Sequence, residues 1–127
     1  MKKVIIAIQN TLVCEAVIGA LQRKGFFTEK SLSQDPDQIA MACGVFFADV
    51  LLMDARRAET SSFDRRIETV RRVRKENPSL KTGLLCDNVS DPEIAQKVKQ
   101  AKETGLIDIF FYESVQTDYL CDMVDSL

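Results

Sequence analysis

Asp54 is the residue of this 127-residue chain whose type and position most suggest chemistry. It follows directly after the apolar run 50–53, whose length and aliphatic character are typical of a strand buried on both faces. In an open α/β sheet, ligands bind in the crevice at the carboxyl ends of the strands. Because a carboxylate in mid-strand would be costly to bury, we interpret Asp54 as a candidate functional residue.

Other polar or reactive residues end or follow the remaining strand-like runs, or follow Asp54 itself. They are Gln9, Asn10, Arg56, Cys86, Asp87, Tyr112 and Glu113. Because the carboxyl ends of parallel strands meet at one edge of a sheet, we expect these side chains to gather around Asp54.

The elements that must position these residues alternate along the chain. The runs with strand character cover residues 4–8, 26–32, 48–54, 82–86 and 106–112. Helix-starting residues stand between them: Thr11, Asp35 before proline, Ser61 or Ser62, Asp91 before proline, and Ser114. We expect the first helix to bury Leu12, Ala16, Val17, Ala20 and Leu21, and the last to bury Val115, Tyr119, Leu120 and Met123. This (βα)5 alternation predicts a three-layer α/β/α sandwich around a five-stranded parallel sheet.

Composition is ordinary for one globular domain, which we predict to span residues 1–127. Hydrophobic residues make up 46% of the chain, charged residues 28%, and the formal net charge is −2. That charge gives no global attraction to nucleic acid or to an acidic membrane. No segment approaches the length of a membrane span, and no signal peptide is recognisable, so we expect a cytoplasmic protein. The four widely spaced cysteines and the absence of histidine favour buried, reduced thiols over a zinc site.

Charge is nevertheless distributed unevenly. Residues 56–75 carry eight basic and three acidic side chains, whereas residues 87–127 carry nine acidic and three basic ones. The two regions are interpreted as solvated faces, or alternatively as docking surfaces that face each other in a dimer. The basic residues of the predicted third helix are Arg65, Arg66, Arg71, Arg72 and Arg74. Acidic residues are interleaved with them, so a solvated helix with i,i+4 ion pairs explains them better than DNA binding.

Three segments give the chain a resemblance to the receiver domain of response regulators, the CheY-like domain, over essentially its whole length. They are KKVIIAIQN at the amino terminus, ADVLLMDAR around Asp54, and GLIDIFFYES before the last helix. The resemblance implies a flavodoxin-like sheet with strand order 2-1-3-4-5 and a role in two-component signal transduction. It also implies that Asp54 matches the aspartate that accepts a phosphoryl group from a histidine kinase.

The match to a working receiver is incomplete. Such a domain carries an acidic pair after the first strand, a Ser or Thr after the fourth and a lysine after the fifth. Here Gln9 and Asn10 stand in place of the acidic pair, Cys86 in place of the hydroxyl, and Tyr112 in place of the lysine. A thiol is a poorer hydrogen-bond donor than a hydroxyl, so the switch that the hydroxyl provides should be blunted.

These departures bear directly on Mg²⁺, which neutralises the charge of a phosphoryl group on its way to a carboxylate. Asp54 and Asn10 remain as candidate metal ligands, and only Asp54 is anionic, so we expect weak Mg²⁺ binding and no certain cofactor. Arg56 or Arg57 could partly replace the missing lysine, because arginine binds phosphate well. Alternatively, Asp54 is a structural residue that accepts hydrogen bonds from Asn10 or nearby backbone amides.

The sequence therefore favours a non-catalytic, degenerate receiver (a pseudo-receiver) with impaired aspartyl phosphorylation that acts through protein–protein contacts. The partners that we expect are a histidine kinase or another signalling protein. A second copy could bind through the face formed by the fourth helix, fifth strand and fifth helix. In a longer protein, an output domain would follow Leu127. We expect no membrane association and no direct nucleic-acid binding.

Two alternatives remain open. The chain could be a conventional phosphorelay receiver in which Asp54 is phosphorylated. It could also be a small flavodoxin-like enzyme or nucleotide binder. Against the latter, the turn Gln9-Asn10-Thr11 has no glycine to bring backbone amides to a phosphate, and no P-loop or nucleophile elbow is present.

Overall fold

Five strands and five helices alternate in the computed structural model, which describes all 127 residues. The strands are β1 (Lys3–Ala7), β2 (Phe27–Lys30), β3 (Val50–Asp54), β4 (Lys81–Cys86) and β5 (Ile109–Tyr112). The helices are α1 (Thr11–Arg23), α2 (Pro36–Phe46), α3 (Phe63–Glu76), α4 (Pro92–Glu103) and α5 (Thr117–Asp125). A short 3₁₀-helix, Glu59–Ser61, lies between β3 and α3. None of the helices is both long and apolar enough to cross a membrane.

All strand pairs of the sheet are parallel, and the strand order is β2-β1-β3-β4-β5. The predicted (βα)5 sandwich and strand order are therefore confirmed. β1 and β3 are adjacent, with Ala7 opposite Met53. The residues that follow these two strands therefore lie side by side at the carboxyl edge of the sheet. β2 and β5 form the two edges and are shorter than the runs 26–32 and 106–112 suggested, since β2 ends at Lys30 and β5 begins only at Ile109.

A hydrophobic core covers each face of the sheet. Leu51 and Met53 of β3 pack with α2, α3 and α4 on one face, and Val50 and Leu52 pack with α1 and α5 on the other. This double burial explains why β3 is an uninterrupted apolar run that ends in a single carboxylate. All four cysteines are buried and free.

The helix starts follow the capping residues in three of five cases. Asp35, Ser62 and Asp91 each accept a hydrogen bond from a backbone N–H in the first turn of α2, α3 and α4. The prediction of Thr11 as a cap is wrong, because Asn10 accepts the N–H of Val13 and Thr11 is already helical. The prediction of Ser114 is also wrong, because Ser114 lies in a turn closed by the Val115 N–H and the Tyr112 carbonyl.

The buried stripes of the first and last helices also differ from the prediction. Leu12 and Ala16 of α1 are exposed, and the helix buries Cys14, Val17, Ala20 and Leu21. Tyr119 of α5 is exposed, and this helix buries Leu120, Cys121 and Val124. Val115, which was also predicted to lie in the last helix, precedes α5. Like Met123 of α5, it is only partly buried. α1 and α5 thus present apolar side chains to solvent, which the amphipathic pattern did not indicate.

Candidate functional site

Asp54 is fully buried at the end of β3, although it lies at the edge of the sheet. The backbone N–H of Gln9 donates to Oδ1 at 3.0 Å, and that of Asn10 donates to Oδ2 at 3.3 Å. Both donors belong to the turn after β1, which the parallel register places beside the end of β3. Arg56 adds a third donor, with its Nε 2.8 Å from Oδ2.

Arg66 of α3 supplies the fourth donor to this carboxylate, and its side chain is also fully buried. Its Nη2 lies 3.0 Å from Asp54 Oδ1, and its Nε lies 2.7 Å from the Asp54 backbone oxygen. The same Nη2 contacts the carbonyl oxygen of Ala7 at 3.0 Å and Oε1 of Gln34 at 2.7 Å. Arg66 thereby fastens α3 to the ends of β1 and β3, while its Nη1 is buried without a partner.

The interpretation of Arg66 as part of a solvated basic face is therefore wrong. A signal was present in the sequence, because Arg66 follows Phe63 by three residues and precedes Val70 by four. That spacing places it on the inward stripe of α3, beside Ile67. A charged residue on an apolar stripe requires a buried partner, and Asp54 is that partner.

The electrostatic consequence is that Asp54 is held in its ionised form. Burial by itself would raise the pKa of Asp54, but the Gln9 N–H, the Arg56 side chain and the charge of Arg66 together lower it below its ordinary value. Burial lowers the pKa of Arg66, and Asp54 offsets part of that effect.

Arg56 also connects Asp54 to Glu113, which directly follows β5. Its Nη2 donates to Glu113 Oε1, and its Nε donates to Asp54 Oδ2. Burial is the main reason that the pKa of Glu113 is raised, against the opposing effect of Arg56. The second oxygen of this carboxylate, Oε2, is buried and has no hydrogen-bond donor.

Cys86 and Tyr112 lie opposite each other in the β4–β5 register, and neither side chain forms a hydrogen bond with Asp54. The Cys86 thiol is fully buried, with Sγ 3.8 Å from the Phe111 carbonyl oxygen, and burial raises its pKa to about 11. The Tyr112 ring packs edge-on against Phe110 at a centroid distance of 5.5 Å. These two positions therefore act as packing residues in this structure.

Asp87 forms a turn of its own. Its Oδ1 accepts the N–H groups of Val89 and Ser90, each at 3.0 Å, and the Ser90 contact is the main reason that the pKa of Asp87 is lowered. Beside it, Arg57 pairs with Asp91, the cap of α4.

The residues present do not fit a Mg²⁺ ion. Asn10 Oδ1, the neutral candidate ligand, accepts the Val13 N–H at 3.0 Å, and Gln9 Oε1 accepts the Thr60 hydroxyl at 3.0 Å. Both Asp54 oxygens face N–H donors, and no group of three acidic or cysteine side chains is placed to hold a metal. Octahedral Mg²⁺ would therefore have to displace at least one guanidinium from Asp54.

Several solved structures resemble this chain in fold. A response regulator receiver domain protein (CheY-like) from Methanospirillum hungatei JF-1 gives a TM-score of 0.77 at 13% identity, over 99% of this chain and 92% of that chain. The response regulator protein TrrA from Thermotoga maritima, solved in complex with Mg²⁺ and BeF, gives 0.74 at 16% identity, over 99% and 98%. The CheY-like protein tadZ from Pseudomonas aeruginosa PAO1 gives 0.75 at 13% identity, over 99% and 98%.

Comparison of the sequence with protein-family models gave no match, and neither did comparison with curated proteins. At the identities of the solved structures, the likeness establishes the fold. The chain has the fold of CheY-like response-regulator receiver domains, and the resemblance predicted from its sequence is confirmed at that level.

Proposed function

We propose that this chain is a receiver-like signalling module of the two-component type that acts through protein–protein contacts without Mg²⁺-dependent phosphorylation of Asp54. The observation that carries the proposal is the pairing of both Asp54 oxygens with internal donors, two of them arginine side chains. Two guanidinium groups supply the positive charge that a receiver otherwise takes from its metal ion. Asp54 is then a structural counter-ion that holds β1, β3 and α3 together.

The chemistry of phosphoryl transfer supports this assignment. A carboxylate that attacks phosphorus needs a free lone pair, an in-line approach and a cation to neutralise the incoming charge. Asp54 is 0% exposed, and each of its oxygens accepts two hydrogen bonds. Its phosphorylation would require Arg56 to leave and the pocket to open, which would break charge-assisted hydrogen bonds in a buried site.

The partners that suit such a module are a histidine kinase or another signalling protein, a second copy of the chain, and an output domain in a longer protein. The face formed by α4, β5 and α5 is the candidate surface for a second copy, because Phe110 and Tyr112 of β5 are only partly buried there. In this proposal the domain is not an enzyme, is cytoplasmic, and binds neither membrane nor nucleic acid directly.

A conventional phosphorelay receiver is the second candidate, and one observation favours it. Arg56 is 27% exposed in its side chain and already bridges two carboxylates, so it could turn toward a phosphoryl group on Asp54.

Intact-mass spectrometry separates the two candidates. The wild-type chain and Asp54→Asn are incubated with acetyl phosphate and Mg²⁺, beside a receiver that is known to react. We expect no phosphoryl adduct on either form of this chain. An adduct on the wild type that is absent from Asp54→Asn would overturn the proposal and establish the phosphorelay candidate.

A Mg²⁺ titration gives an independent readout of the same site. We expect the thermal midpoint of the wild type to stay unchanged up to millimolar Mg²⁺, because Arg56 and Arg66 occupy the place of the ion. The matched variant is Arg56→Ala, which removes the more exposed guanidinium and frees one oxygen of Asp54. A Mg²⁺-dependent rise in the wild type that equals the rise in Arg56→Ala would contradict the proposed role of the arginines.

A further inference from the structure

An apolar cleft opens between α1 and α5, next to the end of β5. Its volume is about 220 Å³, which is smaller than a pocket for a drug-sized ligand. Val17, Leu85 and Leu120 are its buried walls, and Leu12, Ala16 and Val115 lie toward its opening. Leu12 is 83% exposed and Ala16 is also exposed, so the cleft is accessible from solvent.

Glu113 is the single ionisable side chain that lines this cleft. Arg56 donates a hydrogen bond to Glu113 Oε1, whereas Glu113 Oε2 is buried and accepts no hydrogen bond. A buried acceptor without a partner costs free energy, and the cost is larger for a charged group. The cleft therefore combines apolar walls with an acidic residue whose hydrogen-bonding capacity is only half used.

We propose that this cleft is a binding site for a primary ammonium group carried on a short apolar chain. The ammonium pairs with the carboxylate of Glu113, whose side chain is 14% exposed, and the alkyl chain lies against Val17 and Leu120. A compact ammonium suits the site better than a guanidinium, whose fork would compete with Arg56 for both oxygens.

The cleft is also coupled to Asp54 through one side chain. Arg56 contacts both Glu113 and Asp54. A cation bound at Glu113 should weaken the Glu113–Arg56 ion pair and thereby strengthen the interaction of Arg56 with Asp54. Because the Gln9 and Asn10 N–H groups donate to that same Asp54, their resonances should report occupancy of the cleft. The proposal does not depend on the signalling role, because the titration below measures binding at Glu113 in the unphosphorylated chain, whatever the mass experiment shows for Asp54.

The test is a ¹H–¹⁵N NMR titration with three probes of equal chain length: n-pentylamine, which is protonated at pH 7, 1-pentanol and pentanoate. We expect saturable shifts at Val115, Leu120, Gln9 and Asn10 with pentylammonium, and affinity for pentanol weaker by about tenfold, because the ammonium–carboxylate hydrogen bond is charge-assisted. Pentanoate should cause no saturable shift.

Two variants and one control locate the site. Glu113→Gln should bind pentylammonium and pentanol with about equal affinity, since the substitution removes the charge and keeps the shape of the side chain. Ala16→Leu should weaken both probes by filling the cleft from its exposed side. Asp122→Asn, an exposed acidic position of α5 that does not line the cleft, should bind pentylammonium within about twofold of the wild type. Absence of saturable binding, equal affinity for pentylammonium and pentanol, or an unchanged preference in Glu113→Gln would overturn the proposal.

Discussion

Asp54 is the last residue of β3 and Glu113 directly follows β5; both contact Arg56, but they differ in almost every other respect. Asp54 is fully buried and accepts four hydrogen bonds on its two carboxylate oxygens. Glu113 is 14% exposed in its side chain and has a partner on one oxygen only. The pKa of Asp54 is lowered and that of Glu113 is raised, although desolvation raises both. The number of donors therefore decides the direction of each pKa shift more than burial does.

The contrast also separates two kinds of strand end. At β3 the carboxylate is enclosed by its own chain, and Arg66 is its fully buried counter-ion. At β5 the carboxylate borders an accessible apolar cleft and keeps unused hydrogen-bonding capacity. The sharpest ways to test this difference are substitutions that remove one charge at a time.

Arg66→Met should have the largest effect. It leaves Asp54 as a buried charge with one guanidinium and removes the tie from α3 to β1 and β3. We expect a loss of about 3–5 kcal/mol in the free energy of unfolding, as for other broken buried ion pairs. Urea denaturation measures it, and Arg71→Met on the exposed face of α3 is the control, with an expected change within about 0.5 kcal/mol. Equal losses in the two variants would show that Arg66 does not hold the site.

Asp54→Asn should cost about 2 kcal/mol at pH 7, because an amide keeps one acceptor for Arg66 but loses the charge. The cost should depend on pH. The folded pKa of Asp54 lies below its unfolded value of about 3.9, so its contribution is present above that value and is lost as pH falls through the folded pKa. Urea unfolding from pH 3 to 7 should show the gap between wild type and variant closing at the acidic end. A constant gap would argue against an ionised Asp54 as its origin.

Arg56→Met should have a smaller effect, about 1 kcal/mol, because its side chain is 27% exposed and water replaces part of the interaction. Asp54 keeps Arg66 as its counter-ion, whereas Glu113 loses its only charged partner. The pKa of Glu113 should therefore rise further, which side-chain carboxyl NMR titration measures. Arg57→Met, whose partner Asp91 lies outside the site, is the matched control and should leave the pKa of Glu113 in place.

Glu113→Gln should have the smallest effect, within about 0.5 kcal/mol at pH 7, because the carboxylate is only half satisfied. Its folded pKa lies above the unfolded value of about 4.3, so the wild type loses stability as pH rises from there through the folded pKa. The variant should lack that decline in a thermal-midpoint series from pH 4 to 7. Glu103→Gln at the exposed end of α4 should retain the wild-type profile. A decline that persists in Glu113→Gln would assign the titration to another group.

Hydrophobic periodicity was sufficient to predict the layers and the parallel sheet, because a strand buried on both faces is apolar throughout and a surface helix is apolar on one side. It also placed Gln9, Asn10, Asp54 and Glu113 at one edge of the sheet. Patterning was less reliable at the helix ends. Asn10 and Thr11 can both cap a helix, and the choice between them depends on backbone angles that composition does not encode.

The residues that complete the site were harder to predict from local sequence. Arg66 was grouped with its solvated neighbours, because five arginines within ten residues are usually a surface pattern and only its place on the inward stripe of α3 distinguishes it. Cys86 and Tyr112 are predicted at the pocket from their places at the strand ends and from the receiver pattern; in the structure Cys86 Sγ lies against the Phe111 carbonyl and the Tyr112 ring packs on Phe110.

The order of the elements, the burial of β3 and the carboxylate at its end are all predictable from the sequence, since they follow from residue type and spacing within single elements. Which cations neutralise that carboxylate, and which oxygen of Glu113 lacks a partner, became visible only in the folded chain. The physical reason is that Arg56, Arg66 and Glu113 meet Asp54 across separate elements, and their distances depend on how α3 and β5 pack against β3, a long-range outcome of the whole fold.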